Sequence, residues 1–206
     1  MLSRDKSHNI RVSMIITKLD EKIYYYQRAI NNPGEVLKHL DANVWERWVS
    51  SDGGEFYGYS QGAMFGTEEI GSVINPRNGM ILSEIFNAAV FAANNYSDAT
   101  GIDCGYLPPF FAFKKYNTGI GMGPHVDRYG GEDKESALSM VIYLNDDCEG
   151  GEIEFPNQGI KLKPKPGSII AFPPGEPYMH ESKKVLEGNK YMVPLFFFRD
   201  KKTIVE

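Results

Sequence analysis

The sequence predicts a mainly β domain of the α+β class, a β-sandwich or jelly roll with helices packed against its outside. From residue 106 onward, short apolar runs alternate with turns rich in Gly, Pro, Asn and Asp, a pattern typical of sandwiches and barrels. Before that, two segments repeat apolar residues at helical spacing. The chain has 206 residues and is 42% hydrophobic, which suffices for one well-cored domain. We therefore expect a single domain over 1–206, with N-terminal strands and helices in 1–105 and the jelly-roll core in 106–206.

The N-terminal part is predicted to contain two strands followed by two helices. The runs Ile10–Thr17 and Ile23–Tyr26 are strand-like and are split by a charged turn. Asn32 and Pro33 form a helix start, with the asparagine as cap and the proline at the first helical position. A second helix is predicted after Gly79.

The segment between the two helices has no regular period, and two interpretations fit it. Residues 53–66 place aromatic side chains, among them Tyr57 and Tyr59, between many glycines. The segment is either an exposed loop or a lid that closes over a site, since long glycine-rich loops serve both purposes. If it is a lid, the two tyrosines are candidate substrate contacts.

The core strands follow a period of two. In Ala137–Leu144, apolar residues at every second position share one face of the strand. The predicted core strands are Pro108–Asn117, Ala137–Leu144, Glu152–Phe155, Gly159–Lys163, Ser168–Phe172 and Lys190–Phe198.

Composition excludes several classes of partner. A net charge of −5 and a pI near 5.5 argue against a broad nucleic-acid surface, which is normally basic. Two cysteines are too few for a disulfide framework, so we expect reduced thiols, with a single disulfide as the alternative. The first twenty residues lack a long apolar stretch, so neither a signal peptide nor a membrane partner is expected. These features favour a cytoplasmic location.

Three residues form a candidate metal site: His125, Asp127 and His180. Two imidazoles and one carboxylate are the ligand set that holds Fe(II) on one face and leaves positions open for chemistry. In an extended segment, positions 125 and 127 point to the same face. The alternative is a surface histidine and aspartate in a turn, with His180 an ordinary loop residue. The glycine-rich approach to Pro124 and the presence of a suitable lysine favour the metal site.

Lys190 is a candidate anion-binding residue that would accompany the predicted metal site. Within its predicted strand it lies on the same face as Met192, Phe196 and Phe198. An ammonium on an inward apolar face is costly without a counter-charge, and a carboxylate from a bound ligand would provide one. The alternative is that Lys190 opens the strand at an exposed end.

From about residue 110 to 198 the chain resembles the 2-oxoglutarate- and Fe(II)-dependent dioxygenases, most closely the prolyl 4-hydroxylase branch. The resemblance rests on five matching motifs, which are Tyr116–Gly119 leading into Pro124–Asp127, Tyr143–Asn145, Glu149–Phe155, Pro164–Phe172, and His180–Val185 with Gly188, Lys190 and Tyr191.

The resemblance implies a double-stranded β-helix in which His125, Asp127 and His180 bind iron. It implies that Lys190 pairs with the distal carboxylate of 2-oxoglutarate and that Tyr116 adds a hydrogen bond. O2 would be the second cosubstrate, with L-ascorbic acid as a reductant. One position departs from the family, because Met122 stands where a tyrosine is common.

The expected reaction is hydroxylation of a C–H bond, most simply in a peptidyl proline, with release of succinate and CO2. Arg128 and Tyr129, which follow the metal-binding pair, are candidate substrate contacts or ordinary turn residues. Alternatives are a hydroxylase of a free amino acid or other small molecule and a non-catalytic jelly-roll metal-binding module. A nucleic-acid demethylase is disfavoured, because that group uses arginine in place of the distal lysine and needs a basic groove.

Overall fold

The computed structural model describes residues 13–41, 61–66, 76–108, 110–131 and 133–201. Within these residues the protein has two α-helices, two short 3-10 helices and thirteen β-strands. The helices are α1 (Pro33–Asp41) and α2 (Pro76–Thr100), and the 3-10 helices are Pro156–Gln158 and Glu176–Tyr178. The strands are β1 (Ile15–Asp20), β2 (Ile23–Gln27), β3 (Gln61–Gly66), β4 (Phe110–Asn117), β5 (Met122–His125), β6 (Lys134–Tyr143), β7 (Glu149–Gly150), β8 (Ile153–Phe155), β9 (Ile160–Leu162), β10 (Ser168–Phe172), β11 (His180–Ser182), β12 (Val185–Glu187) and β13 (Asn189–Asp200).

The strands form three antiparallel sheets. The main sheet has seven strands in the order β1-β2-β10-β6-β13-β4-β3, and a smaller sheet has four in the order β5-β11-β8-β9. Strands β12 and β7 form a separate pair. Apolar side chains from the main sheet and from β8 of the smaller sheet belong to one buried cluster, so the two sheets enclose an interior between them.

The opposite face of the main sheet, which we call the outer face, packs against the helices. Helix α2 buries Leu82, Ile85 and Ala89 against it, as expected for an apolar stripe at helical spacing. The hydroxyl of Tyr96, also buried on α2, donates a hydrogen bond to the carbonyl of Lys22 at 3.0 Å. This packing covers the outer face of the main sheet, and the other face of the same sheet borders the interior.

Several element boundaries differ from those predicted from the sequence. Strand β1 runs to Asp20 rather than ending at Thr17, and α2 begins at Pro76 and includes Gly79. The predicted loop or lid at 53–66 contains a strand, β3, that pairs with β4 at the edge of the main sheet. The rest of that segment, including Tyr57 and Tyr59, lies outside the described residues. In the part of the chain that the structure describes, neither helix combines the length and hydropathy needed to span a membrane.

Candidate metal centre

The pairing of two strands brings the two predicted histidine ligands together. His125 ends β5 and His180 begins β11, and the register of this antiparallel pair places them directly opposite each other. Their ring centroids lie 4.3 Å apart. Side chains of directly opposed residues in an antiparallel pair lie on one face, so both imidazoles project toward the same point.

Asp127 completes the group from the loop that follows β5. Its Oδ1 lies 3.8 Å from Nε2 of His125, and its Oδ2 lies 3.8 Å from Nε2 of His180. The candidate ligand atoms of the three residues all lie within 4.8 Å of one another. The strand ends at His125, so the loop, rather than an extended strand, carries Asp127 to this position.

The hydrogen bonds of the two imidazoles fit metal binding. Nδ1 of His125 lies 2.8 Å from the carbonyl of Gly123, and Nδ1 of His180 lies 3.1 Å from that of Tyr178. A proton on each Nδ1 is thereby held by the backbone, which directs the lone pair of each Nε2 toward the carboxylate. Burial lowers the pKa of His180 below its usual value, although Asp127 opposes the shift. A neutral imidazole is the form that binds a metal ion, and this donor set fits Fe(II).

Lys190 lies in the same pocket as the three candidate ligands. It is only 3% exposed, which contradicts the alternative of an exposed strand end. Its Nζ donates hydrogen bonds to the carbonyl of Gly151 and to Oγ of Ser182, both at 2.7 Å. No carboxylate lies within 4.0 Å of this ammonium among the described residues. Two neutral acceptors therefore fix its position without neutralising its charge.

Burial lowers the pKa of Lys190 from 10.5 to about 7. The cause is chiefly loss of hydration, with Lys163 adding to it. Gly151 allows this close packing, because it adopts a φ of +69° and a Cβ there would lie 3.1 Å from Cδ of Lys190. The pocket therefore contains a buried amine, that of Lys190, which a carboxylate ligand would hold in its charged form.

Two tyrosines flank Lys190, and one of them is directed toward Met122. Tyr116 lies opposite Lys190 in the β4/β13 pair and is 1% exposed. Its hydroxyl donates to Sδ of Met122 at 3.8 Å, so the methionine that departs from the family pattern contacts the predicted cosubstrate residue. The ring centroid of Tyr143 lies 5.2 Å from Nζ of Lys190, and both residues line the pocket.

Of the two predicted substrate contacts that the structure describes, Tyr129 lies at the mouth of the pocket and Arg128 lies in an adjoining groove. The Tyr129 ring packs on Phe196 with centroids 4.2 Å apart, and Tyr129 is 44% exposed. It lines both the pocket and an adjoining open groove, whereas Arg128 lines only the groove. The groove is formed by residues 128–131, 134–136, 174–177 and 201.

Sequence reasoning assigned no role in the site to three polar residues that line the pocket: Lys114, Tyr143 and Ser182. Lys114 lies two residues before Tyr116 on β4, so a period of two would have placed both on the inward face. Burial lowers the pKa of Lys114 from 10.5 to about 8, with Asp127 opposing the shift. Ser182 lies two residues after His180 on β11 and is identified only by its contact with Lys190.

Residues 111–198 match the model of the 2OG-Fe(II) oxygenase superfamily. This match covers every candidate ligand and Lys190. Over these residues the chain is similar to the 2OG-Fe(II) oxygenase superfamily, which supports the predicted family. The family implies Fe(II), 2-oxoglutarate and O2, in agreement with the prediction of a 2-oxoglutarate-dependent oxygenase.

The curated relatives that the chain matches include a prolyl hydroxylase. Human prolyl 3-hydroxylase 2 is 29% identical over 116 residues, which cover 54% of this chain and 13% of that protein. The chain therefore matches only a small part of the length of this curated relative.

Two solved prolyl hydroxylases share the fold. The enzyme of Trichoplax adhaerens, in complex with a hypoxia inducible factor peptide, matches with a TM-score of 0.66 at 15% identity, covering 86% of this chain and 84% of that one. The viral collagen prolyl hydroxylase of Paramecium Bursaria Chlorella virus-1, in complex with 2OG, matches with a TM-score of 0.62 at 17% identity, covering 86% and 96%. The predicted double-stranded β-helix is confirmed.

Proposed function

We propose that this protein hydroxylates a C–H bond, most readily in a peptidyl proline, using Fe(II), 2-oxoglutarate and O2. The observation that carries the proposal is one pocket with a His-Asp-His group and a buried lysine without a counter-ion among the described residues. In this reaction one oxygen atom enters the substrate and the other enters succinate, while 2-oxoglutarate loses CO2.

His125, Asp127 and His180 are the proposed ligands of the iron. Backbone carbonyls hold Nδ1 of both imidazoles, so their Nε2 atoms are oriented before the metal arrives. Phe155 and Phe172 lie beside His180, with centroid distances of 5.5 and 4.6 Å, and exclude water from that side. Bound Fe(II) would supply the activation of O2 that this chemistry needs.

Lys190 is the proposed partner of the distal carboxylate of 2-oxoglutarate. Its ammonium is held by Gly151 and Ser182, so little side-chain entropy remains to be lost on binding. The buried environment strengthens a charge-assisted hydrogen bond to a carboxylate. The nearby ring of Tyr143 closes the same end of the pocket.

The groove beside the pocket supports a peptide substrate. Tyr129 borders both, so a chain lying in the groove can place one residue in the pocket. Pro174 and Pro177 add apolar surface to the groove, while Arg128 and Glu176 add exposed charges of both signs. The similarity to prolyl hydroxylases is the reason to prefer proline over other residues in this peptide.

A succinate-release screen with Fe(II), 2-oxoglutarate and ascorbate as the proposed reductant tests the function. Proline-containing peptides should raise succinate release, and the product should gain about 16 Da, one oxygen atom. Free proline and other amino acids form the second arm of the screen. Succinate release that no peptide stimulates but an amino acid does would replace the peptide proposal. Absence of succinate with every candidate and without substrate would contradict oxygenase activity itself.

Two broader proposals accompany the activity. We propose that residues 1–206 act as one domain, since α2 packs directly on the sheet that carries the site. We also propose a cytoplasmic location, because Cys104 and Cys148 are both free thiols, as expected in a reducing compartment. Activity retained after separate expression of residues 106–206 would contradict the proposal that residues 1–206 act as one domain.

A further inference from the structure

A second lysine, Lys114, projects into the same pocket as Lys190. On β4 the outward Phe113 belongs to the core beneath α2, whereas Lys114 and Tyr116 line the pocket. Lys114 lies opposite Met192 of β13, and Tyr116 lies opposite Lys190. The two lysines therefore occupy neighbouring strands at levels two residues apart, about 7 Å along the strand direction.

The two ammonium groups have different electrostatic surroundings. Lys190 is influenced by Cys148, Lys163 and Glu152, none of which belongs to the metal group. Lys114 is influenced by the carboxylate of Asp127. The pocket is thus lined by two lysines, of which only Lys114 has a candidate metal ligand among its electrostatic neighbours.

We propose that Lys114 is a second anion-binding residue, which contacts the carboxylate of the cosubstrate that lies nearest the metal group. This inference rests on the proposed function, because it assigns the two ends of 2-oxoglutarate to two lysines. A short linear dicarboxylate complements cations at both ends of one pocket, and each contact is a charge-assisted hydrogen bond. Lys114 would orient the reactive end of the cosubstrate, whereas Lys190 would hold the other end.

The position of Lys114 favours the cosubstrate over the substrate as its ligand. Lys114 and Met192 lie on the paired strands that also carry Tyr116 and Lys190, and all four residues line the same pocket. The mouth is marked instead by Tyr129 and Phe196, where the groove begins. A substrate entering from the groove reaches those two aromatic residues first.

The test uses metal-free protein and two simple ligands, glutarate with two carboxylates and pentanoate with one. Lys114→Met is compared with Lys115→Met, because Lys115 lies on the other face of β4, with Nζ 5.4 Å from the centroid of Tyr191. Ligand-observed NMR titration should show glutarate binding weakened about tenfold by Lys114→Met, with pentanoate binding unchanged. Lys115→Met should leave both affinities unchanged, and Lys114→Arg should retain most of the glutarate affinity.

Two results would overturn the inference. The first is wild-type glutarate affinity in Lys114→Met, even if its turnover is impaired, since the ammonium would then serve another step. The second is an equal loss of glutarate and pentanoate binding, which would indicate a general effect on the pocket. Wild-type protein that binds glutarate through Lys114 but releases no succinate with Fe(II), 2-oxoglutarate, O2 and any candidate substrate would contradict the proposed function while leaving this dicarboxylate site in place.

Discussion

The two faces of the main sheet are built from alternate residues of the same strands, yet they differ in composition. The outer face, beneath α2, buries apolar side chains from β6 and β13: Leu138, Met140, Ile142, Val193, Leu195 and Phe197. The inner face of the same two strands mixes apolar and polar side chains: Ser139, Val141, Tyr143, Lys190, Met192, Pro194 and Phe196.

The outer face of the sheet therefore contributes mainly to stability, whereas the inner face carries the proposed chemistry. The outer face gains stability from burial of hydrocarbon. The inner face holds an ammonium whose pKa burial has lowered to about 7, and it also holds a serine hydroxyl that has no hydrogen-bond partner among the described residues. Such groups reduce stability, so their retention on one face supports the proposed site there.

The largest expected effect is on the inner face, at Asp127. Replacement by alanine removes the carboxylate that lies 3.8 Å from both imidazoles. We expect Fe(II) affinity and succinate release to fall by more than about a hundredfold, since even residues that only support metal ligands can cost that much. Metal titration and a succinate assay measure the two losses. Asp133→Ala, at an exposed position, is the control and should retain both.

On the outer face, Ile142→Ala should produce the opposite pattern. Ile142 is fully buried against the core beneath α2, so its truncation should lower the free energy of unfolding by about 2–5 kcal/mol. Fe(II) affinity of the folded protein should change less than twofold. Urea denaturation provides the stability, and Leu186→Ala, at a 67% exposed position, serves as the control. Loss of metal binding in folded Ile142→Ala would show that metal binding on the inner face depends on packing on the outer face.

Lys190→Met tests the closed end of the pocket. The variant keeps a chain of similar length but removes the charge, so 2-oxoglutarate affinity should fall roughly tenfold to a hundredfold. Fe(II) affinity should be retained, because Lys190 donates to Gly151 and Ser182 and not to the metal group. Isothermal titration of both ligands separates these effects, with the exposed Lys184→Met as control. A loss of Fe(II) affinity equal to that of 2-oxoglutarate would show that the two ends of the pocket are not independent.

The pKa of Lys190 also predicts a pH dependence. With a value of about 7 in the empty pocket, Lys190 is mostly charged below that pH and mostly neutral above it. A bound carboxylate favours the charged form, so binding above pH 7 should take up protons, approaching one per ligand. Affinity for 2-oxoglutarate should therefore fall as pH rises from 7 to 9. Titration in buffers of different ionisation enthalpy measures the uptake, which should be nearly absent at pH 6. In Lys190→Met it should fall to the contribution of Lys114, whose pKa is about 8.

The sequence predicted the parts of the site whose residue types are chemically specific. His125, Asp127, His180 and Lys190 could be identified because few residues bind metals or carry a buried charge. Their contact could not be derived from sequence alone, because it depends on the register of β5 and β11, which are far apart along the chain. Lys114 was missed because a lysine is usually solvated, although its spacing of two from Tyr116 on β4 placed both on one face, and the pairing with β13 shows that this face is the inner one.

The fold was predicted best where the apolar period was strong. Strand β3 was missed because its sequence, Gln61–Gly66, contains two glycines and follows a glycine-rich stretch. Its pairing with β4 overrides the weak local preference. Helix α2 begins three residues before Gly79 for a similar reason, since the helix as a whole gains stability from packing on the outer face.

The smallest expected effect distinguishes two serines on the paired strands β6 and β10. Both are fully buried, but the hydroxyl of Ser139 has no partner among the residues that the structure describes, whereas that of Ser168 donates to the carbonyl of Lys165 at 2.6 Å. Ser139→Ala should leave stability unchanged or raise it by up to about 1 kcal/mol, and Ser168→Ala should lower it by about 1 kcal/mol. Urea midpoints at equal m-values measure both changes. Equal destabilisation by the two variants would mean that the hydroxyl of Ser139 is hydrogen-bonded as fully as that of Ser168. The difference in polarity between the two faces of β6 and β13 would then rest on Lys190 alone.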